Sequence, residues 1–376
     1  MDAQAVDGVE LAEDPRFLAQ QLLTYLGNKR ALLGSIANAV QDVKRRLGRE
    51  KLRVWDAFAG SGVVSRLLKQ HASLLISSDL EGYAAAVGRC FLRNRSEVDH
   101  RRLARAVEKL NNAIDASPLP PGFIAELYSP RDESNISESD RVFYTNENAR
   151  RLDDYRRRID DADPDLRDLL LGPLLSEASI HANTAGVFKG FYKDRHTKIG
   201  RFGGSNADAL LRILGPIRLA PPRLSRFECD VEVHQADANR LARFLKGLDL
   251  AYFDPPYNQH PYGSNYFMLN LLVRYERPSE VSSVSGIPVD WQRSDYNVRA
   301  KSLASFRRLA ESTDARFLLV SFNDEGFIEP SEMKSTLARL GRVEVVEIPH
   351  PTFRGSRNLR NRKLQVMERL FLVGRS

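Results

Sequence analysis

Leu52-Arg53-Val54-Trp55-Asp56-Ala57-Phe58-Ala59-Gly60-Ser61-Gly62-Val63-Val64-Ser65-Arg66-Leu67-Leu68 is the stretch whose reading decides the fold. Residues 52–58 form an apolar run of strand length with an acid near its end, and residues 59–62 are a turn of small side chains. Val63, Val64, Leu67 and Leu68 then recur at helical spacing. A second apolar run over 73–78 ends at Asp79. Strand, glycine turn, helix, strand and acid is the order of a βαβ unit, with its two strands parallel in one sheet. Strand-like runs at 229–234, 248–253, 316–322, 343–348 and 368–373 continue the pattern, and the last two are expected to pair as a hairpin. Upstream, Tyr25-Leu26-Gly27-Asn28-Lys29-Arg30 reads as a turn into a helix carrying Leu32, Leu33, Ile36 and Val40.

Between residues 83 and 226 the character changes. Residues 89–105 read as a basic helix, 116–122 as a proline-rich connection, 131–140 as a polar loop, and 148–171 as a densely charged helix. From His181 to Gly204 polar, aromatic and basic residues are interleaved. After the sheet pattern resumes, 278–293 is a polar excursion and 300–310 a helix. Residues 352–363 carry Arg354, Arg357, Arg360, Arg362 and Lys363 between the last two strands. No internal repeat or low-complexity tract is present.

The chain has 376 residues, 42% of them hydrophobic and 28% charged, enough for one large α/β domain with a smaller inserted one. A net charge of +7 suits a polyanionic partner without proving one. Two cysteines, Cys90 and Cys229, support neither a disulfide framework nor a thiolate metal site, and no metal is expected. The first residues, acidic and small, read as a loose leader. With no secretory pattern and no long apolar span, the expectation is a soluble cytoplasmic protein with no membrane partner, of prokaryotic or phage origin.

The turn Asp56-x-Phe58-x-Gly60-x-Gly62 lets a ligand approach the backbone closely, and the helix after it offers unpaired N–H groups. It lacks the third glycine of a dinucleotide fingerprint. An acid before the turn suits a cationic amino group better than a diphosphate. Asp79 either accepts from ribose hydroxyls or caps a helix. Together these features describe a site for a nucleoside with a zwitterionic amino-acid tail, and S-adenosylmethionine is the natural candidate. Lys29 pairs with Asp56 or with the ligand carboxylate, or is solvated. Asp237 accepts from the adenine amino group of that cofactor, or caps a helix.

Asp254-Pro255-Pro256-Tyr257 follows the apolar run 248–253. Two prolines stiffen the exit from the strand and remove two N–H donors. The Asp254 carboxylate and the Pro255 carbonyl can accept from an –NH2 group while Tyr257 stacks on its ring. Tyr262, Asn265, Tyr266 and Phe267, just beyond, either line the pocket for that ring or pack in the core.

In this order, the segment at 25–30, the turn at 56–62 and the tetrapeptide at 254–257 resemble the motifs of the DNA adenine-N6 methyltransferases of the Dam-like, alpha-type class. The middle of the chain matches only by position: about 190 residues separate Gly62 from Asp254, where a βαβ unit needs about 30. The resemblance implies an α/β fold: a Rossmann-like S-adenosylmethionine-dependent methyltransferase domain with a seven-stranded mixed sheet and an inserted, mostly helical target-recognition region. Residues 16–85 and 227–376 would form the catalytic domain and 86–226 the insert. Tyr25, Lys29, Asp56, Phe58, Gly60, Gly62, Asp79 and Asp237 would serve the cofactor, and Asp254, Pro255, Pro256 and Tyr257 catalysis. The target adenine in double-stranded DNA would be flipped out of the stack, and the methyl transferred directly and in line. Arg195, Lys198, Arg201 and Asn206 would contact DNA, with Arg354, Arg357 and Arg360 on its backbone. A cognate restriction endonuclease is an expected partner if the enzyme is not an orphan. Two other readings stay open: an RNA methyltransferase acting on adenine or guanine amino groups, and a non-catalytic nucleic-acid-binding module.

Overall fold

The computed structural model describes residues 13–204, 209–351 and 365–375. Its strands are β1 (Leu52–Asp56), β2 (Ala72–Asp79), β3 (Asp230–Gln235), β4 (Leu248–Phe253), β5 (Ala315–Asn323), β6 (Gly341–Pro351) and β7 (Gln365–Arg375). They form one seven-stranded sheet in the order β3-β2-β1-β4-β5-β7-β6. The strands from β3 to β5 run parallel, and β7 is antiparallel to both β5 and β6. The hairpin expected at the C-terminal end is present, with Val343 opposite Val373 and Ile348 opposite Glu368. β1 and β4 are neighbours while the chain leaves them toward opposite sides of the sheet. Such a switch point opens a crevice beyond the strand ends, where Asp56, Asp79 and Asp254 stand.

Each sheet face has its own core. On one face Val54, Leu250, Tyr252, Leu319 and Leu372 pack on the helices Leu33–Leu47 and Val63–Lys69. On the other, Trp55, Ala251, Phe253 and Leu318 pack on Arg299–Ser312 and Pro330–Ala338. Period-2 alternation along β4 thus feeds both faces, so the whole strand is buried. A third core joins the helices His100–Ala116, Asn146–Asp160 and Pro164–Ile180 to Gly82–Phe91 and Phe267–Arg274. Helix Gly82–Phe91 runs across position 86, so the region between the motifs is built directly onto a helix of the sheet domain.

Two expected helices are interrupted. The basic stretch at 89–105 breaks after Leu92, where the buried Lys69 ammonium donates to the carbonyls of Leu92 and Arg93. Asp99 then starts a new helix by accepting from the Arg101 and Arg102 N–H groups at 3.0 and 2.9 Å. The stretch at 148–171 divides at Asp163-Pro164, an N-cap followed by proline at the first helical position. β1 is also shorter than expected, ending at Asp56 so that residues 57–62 make the turn.

Helices Gly82–Phe91 and Pro164–Ile180 meet at Gly172. A Cβ there would lie 2.5 Å from the Cys90 Cβ and Sγ. Gly172→Ala is expected to destabilise the protein by about 1–3 kcal/mol through overpacking. The measure is a lower urea midpoint at unchanged slope, and an unchanged midpoint would mean that the two helices can part.

Candidate active site

The segment before the first long helix folds over the sheet edge. Gly27 has φ 68°, and a Cβ on it would lie 2.9 Å from the Tyr257 hydroxyl, so this position admits glycine and little else. The segment is stapled from both sides: the Tyr266 hydroxyl accepts from Leu26 N–H at 2.8 Å, and the Tyr262 hydroxyl donates to the Leu26 carbonyl at 3.2 Å. Tyr25 stacks against Tyr262 and Tyr266, with centroids 5.1 and 4.7 Å away. It also covers the glycine turn, its ring 2.9 Å from where a Gly60 Cβ would stand.

This fold brings Lys29 to Asp254. The ammonium lies 3.0 Å from Asp254 Oδ1, donates to the Gly27 carbonyl at 3.1 Å and sits 5.4 Å from the centre of the Tyr257 ring. Burial opposes the lysine charge, but the Asp254 carboxylate outweighs it and holds Lys29 protonated. Burial also lifts Asp254 to about 6 against the pull of Lys29, with Glu368 adding to the rise. Asp254 Oδ1 is buried, and the Lys29 ammonium is the group that faces it. Tyr257 packs edge-on against Phe322, its centroid 5.7 Å away.

The turn and the tetrapeptide share one cleft of about 850 Å³ open to solvent. Tyr25, Lys29, Phe58, Gly60, Asp79, Asp237, Asp254, Pro256 and Tyr262 all line it. Asp79 ties the turn down, its two oxygens accepting from the Gly60 N–H at 2.8 Å and the Glu81 N–H at 2.9 Å. Asp237 caps the short helix Ala238–Leu241 through the Arg240 N–H at 2.9 Å, and still faces the cleft.

Several expected roles shift. Asp56 does not pair with Lys29 and does not line the cleft. It lies fully buried behind the turn, accepting from the Ser65 hydroxyl at 2.6 Å. Burial, reinforced by Asp254 and Asp79, raises it to about 7. Gly62 stands behind the lining with φ 74°, ending the turn through an N–H bond to the Ala59 carbonyl at 2.7 Å. Pro255 is buried and Tyr257 half-buried, and neither lines the cleft. Of the four pocket residues expected just after the tetrapeptide, Tyr262 reaches the cleft, while Asn265, Tyr266 and Phe267 are buried in packing. Arg195, Lys198 and Arg201 are exposed on a tight turn closed by the Lys193–Gly200 bridge. Asn206, Arg354, Arg357 and Arg360 lie outside the described residues.

The cleft also holds residues that the motifs did not point to. Tyr296 packs edge-on against Phe58 at 5.3 Å, so the polar excursion after 278 supplies a cleft wall with Gln292, Ser294 and Asn297. Glu81 is 3% exposed and accepts from the Asn270 amide at 2.6 Å. Its signal was Asp79-Leu80-Glu81, a second acid just past the strand end. With Asp79, Asp237 and Asp254 it brings four carboxyl groups to the lining against the single lysine.

Residues 25–335 match the family described as D12 class N6 adenine-specific DNA methyltransferase. The chain belongs to that family. It is 27% identical to Type II methyltransferase M.NlaIII of Neisseria lactamica over 93% of this chain and 100% of that protein. It is 28% identical to Type II methyltransferase M.CviAII of Paramecium bursaria Chlorella virus 1 over 88% of this chain and 92% of that protein. Modification methylase StsI of Streptococcus sanguinis is 26% identical over 94% of this chain, which spans 52% of that longer protein. The D12 chain is thus an adenine-specific enzyme with DNA as its substrate, and neither the RNA enzyme nor the non-catalytic module describes it. Among the described residues no helix is long and apolar enough to cross a membrane.

Burial first, then Asp79, raises Glu81 of this methyltransferase from 4.5 to about 8. Because the folded state holds that proton more tightly than the unfolded chain, Glu81 stabilises the fold fully below pH 4.5, and the contribution disappears as pH climbs to about 8. Glu81→Gln removes this dependence. The variant's melting temperature without cofactor is expected to gain on the wild type as pH rises from 4.5 to 8, by the equivalent of a few kcal/mol. Parallel melting curves across that window would contradict the assignment.

Proposed function

We propose that the cleft binds S-adenosylmethionine beside an extruded adenine, and that Asp254, Pro255, Pro256 and Tyr257 direct methylation of its N6 amino group within a specific double-stranded DNA sequence. The observation that carries this reading is the shared cleft, with Asp254, paired to Lys29, at one end and the Gly60 turn at the other. The fit to the cofactor rests on the acidic lining and on the aromatic wall of Phe58 and Tyr296. Phe58, the Gly60 turn, Asp79, Glu81, Asp237 and Tyr296 would hold it. When bound, S-adenosylmethionine supplies an electrophilic methyl group carried on a sulfonium.

The protein's part is to prepare the amine. An aromatic amino group is a poor nucleophile because its lone pair is delocalised into the ring. Acceptance of its N–H groups by Asp254 and by the Pro255 carbonyl favours a more tetrahedral nitrogen and stabilises the positive charge that develops there. Lys29 keeps Asp254 ionised and fixed in direction. Tyr262 on the cleft wall and Tyr257, which stands beside the cleft rather than on its wall, would stack on the base and offset an unstacking cost of a few kcal/mol. Tyr25 acts through the turn it covers, and Asp56 and Gly62 support that turn from behind. Nothing in this scheme calls on a metal or a cysteine nucleophile.

Target reading falls to the region 86–226, with Arg195, Lys198, Arg201 and Asn206 addressing DNA and Arg354, Arg357 and Arg360 contacting its backbone. The names of the relatives support a place in a restriction–modification system with a cognate endonuclease partner, and their bacterial and viral sources support a cytoplasmic site of action.

Asp254→Ala is expected to lower methyl transfer by at least about a hundredfold while duplex binding stays near the wild-type level. Tritium transfer from labelled cofactor to duplex DNA, followed by nucleoside analysis, measures the first quantity, and gel shift the second. Retained transfer would refute the role of Asp254, and label on any nucleoside other than N6-methyladenine would refute the target.

A further inference from the structure

The segment that supplies the Tyr296 wall of the cleft carries its cations in two different states. Between residues 274 and 301 they are Arg274, Arg277, Arg293, Arg299 and Lys301. Arg274 pairs with Asp290 at 3.4 Å, Arg277 with Glu126 at 2.5 Å and Lys301 with Asp295 at 3.0 Å. Arg293 and Arg299 are exposed, and neither forms an ion pair with any acid among the described residues. Each lies instead over an aromatic ring. The Arg293 guanidinium is 4.6 Å from the centre of the Trp291 ring, and that of Arg299 is 4.7 Å from the centre of the Phe327 ring.

Both arginines flank the cleft. Arg293 sits between Gln292 and Ser294, which line it, and Arg299 opens the helix that follows the single turn Asp295–Asn297. That turn is pinned on two sides. The Tyr296 hydroxyl donates to Asn239 Oδ1 at 2.9 Å, and the Asn297 amide donates at 2.7 Å to the carbonyl of Asn258, the residue after the tetrapeptide. The ring under Arg299 is tied to the tetrapeptide as well, because the Phe327 N–H donates to the Tyr257 carbonyl at 2.8 Å. One arginine therefore borders the cofactor wall and the other the tetrapeptide, each on anchored chain.

A guanidinium over a ring is attracted by the ring face and keeps N–H donors in its own plane free to bond. Stacking also fixes a long side chain beforehand, so less freedom is lost when a partner binds. A planar fork of donors matches two oxygens of a phosphodiester. We propose that Arg293 and Arg299 form a phosphate clamp at the rim of the cleft, holding the backbone of the target strand on either side of the extruded adenine. The proposal rests on the reading of the cleft given above. A base drawn into the cleft brings its own phosphates to the rim, where four lining carboxyl groups repel them and the one lining lysine is already paired with Asp254. Cations without acid partners, standing just outside that lining, answer this repulsion. They belong to the segment 274–301, outside the inserted region 86–226.

The test measures binding of a duplex that the wild type methylates, over a range of salt concentrations and with S-adenosylhomocysteine present. It compares the wild type with Arg293→Ala, Arg299→Ala, Arg293→Lys and Arg299→Lys. Each alanine variant is expected to bind more weakly, and its plot of log affinity against log salt to be shallower by about one unit. The dissociation constant for S-adenosylmethionine and the set of methylated sites should not change. Each lysine variant should keep the wild-type slope and lose part of the affinity, because a point charge replaces the fork. A wild-type slope in either alanine variant overturns the proposal. So does weaker DNA binding that a loss of cofactor affinity accounts for, since that would make the stacked arginine a support of the wall. A changed set of methylated sites overturns it too, because it marks a contact to a base. Wild-type transfer to adenine N6 tests the underlying reading separately, because it does not involve these variants.

Discussion

A lysine ammonium and a carboxylate share a nearly dry space at the head of β4, and the rest of the site is arranged so that they can. Lys29 and Asp254 would each be costly to bury alone, and breaking a buried pair by removing one partner typically costs about 3–5 kcal/mol. Together, with the Gly27 carbonyl and the Tyr257 ring completing the lysine's surroundings, they keep an ionised acceptor pointed into the cleft. That placement depends on a segment far away in sequence. Residues 25–29 reach β4 only because Tyr262 and Tyr266 bond both sides of Leu26 and because Gly27 leaves room for the Tyr257 hydroxyl.

The acids at the strand ends divide their work by depth. Asp56, fully buried, is spent on Ser65 behind the glycine turn. Asp79 is half-buried and holds the Gly60 N–H. Asp254, paired with Lys29, lines the cleft itself. A turn that is to present its backbone to a ligand must first be held still, and the two inner acids do this. The switch of chain direction between β1 and β4 is what places all three around one crevice.

Much of this was legible in the sequence where local rules and tertiary structure agree. β4 begins and ends where its apolar run does, because burial on both faces leaves it little choice of register, and the C-terminal hairpin pairs between the two apolar runs expected to form it. The same rules failed where a distant group decided the outcome. The helix after Gly82 stops because Lys69, more than twenty positions earlier, takes its terminal carbonyls. Asn265 and Tyr266 pack rather than line the cleft: Tyr266 is taken up by the Tyr25 ring and the Leu26 N–H, which leaves Tyr262, one turn earlier, at the opening. Glu81 and Tyr296 carried too little local signal: one is a second acid beyond a strand, and the other lies in a polar excursion whose fold is set by contact with Phe58.

Net charge suits a polyanionic substrate but does not say how the exposed basic turn is joined to the cleft. Arg195 and Lys198 stand on a turn whose own bonds, from Asp194 to the His196 and Thr197 N–H groups, make it a rigid unit. That unit is fastened by Asn183, fully buried, which donates to the carbonyls of Val142 and Arg201 and accepts from the Gly203 N–H. Five residues later the Phe188 N–H donates to the Asn265 carbonyl at 2.7 Å, at the end of the helix that carries Tyr262. The path from the basic turn to the tyrosine at the cleft mouth is thus a short run of backbone held at both ends by buried hydrogen bonds. The turn and the cleft mouth are thereby joined through a few residues of chain rather than through a long loop.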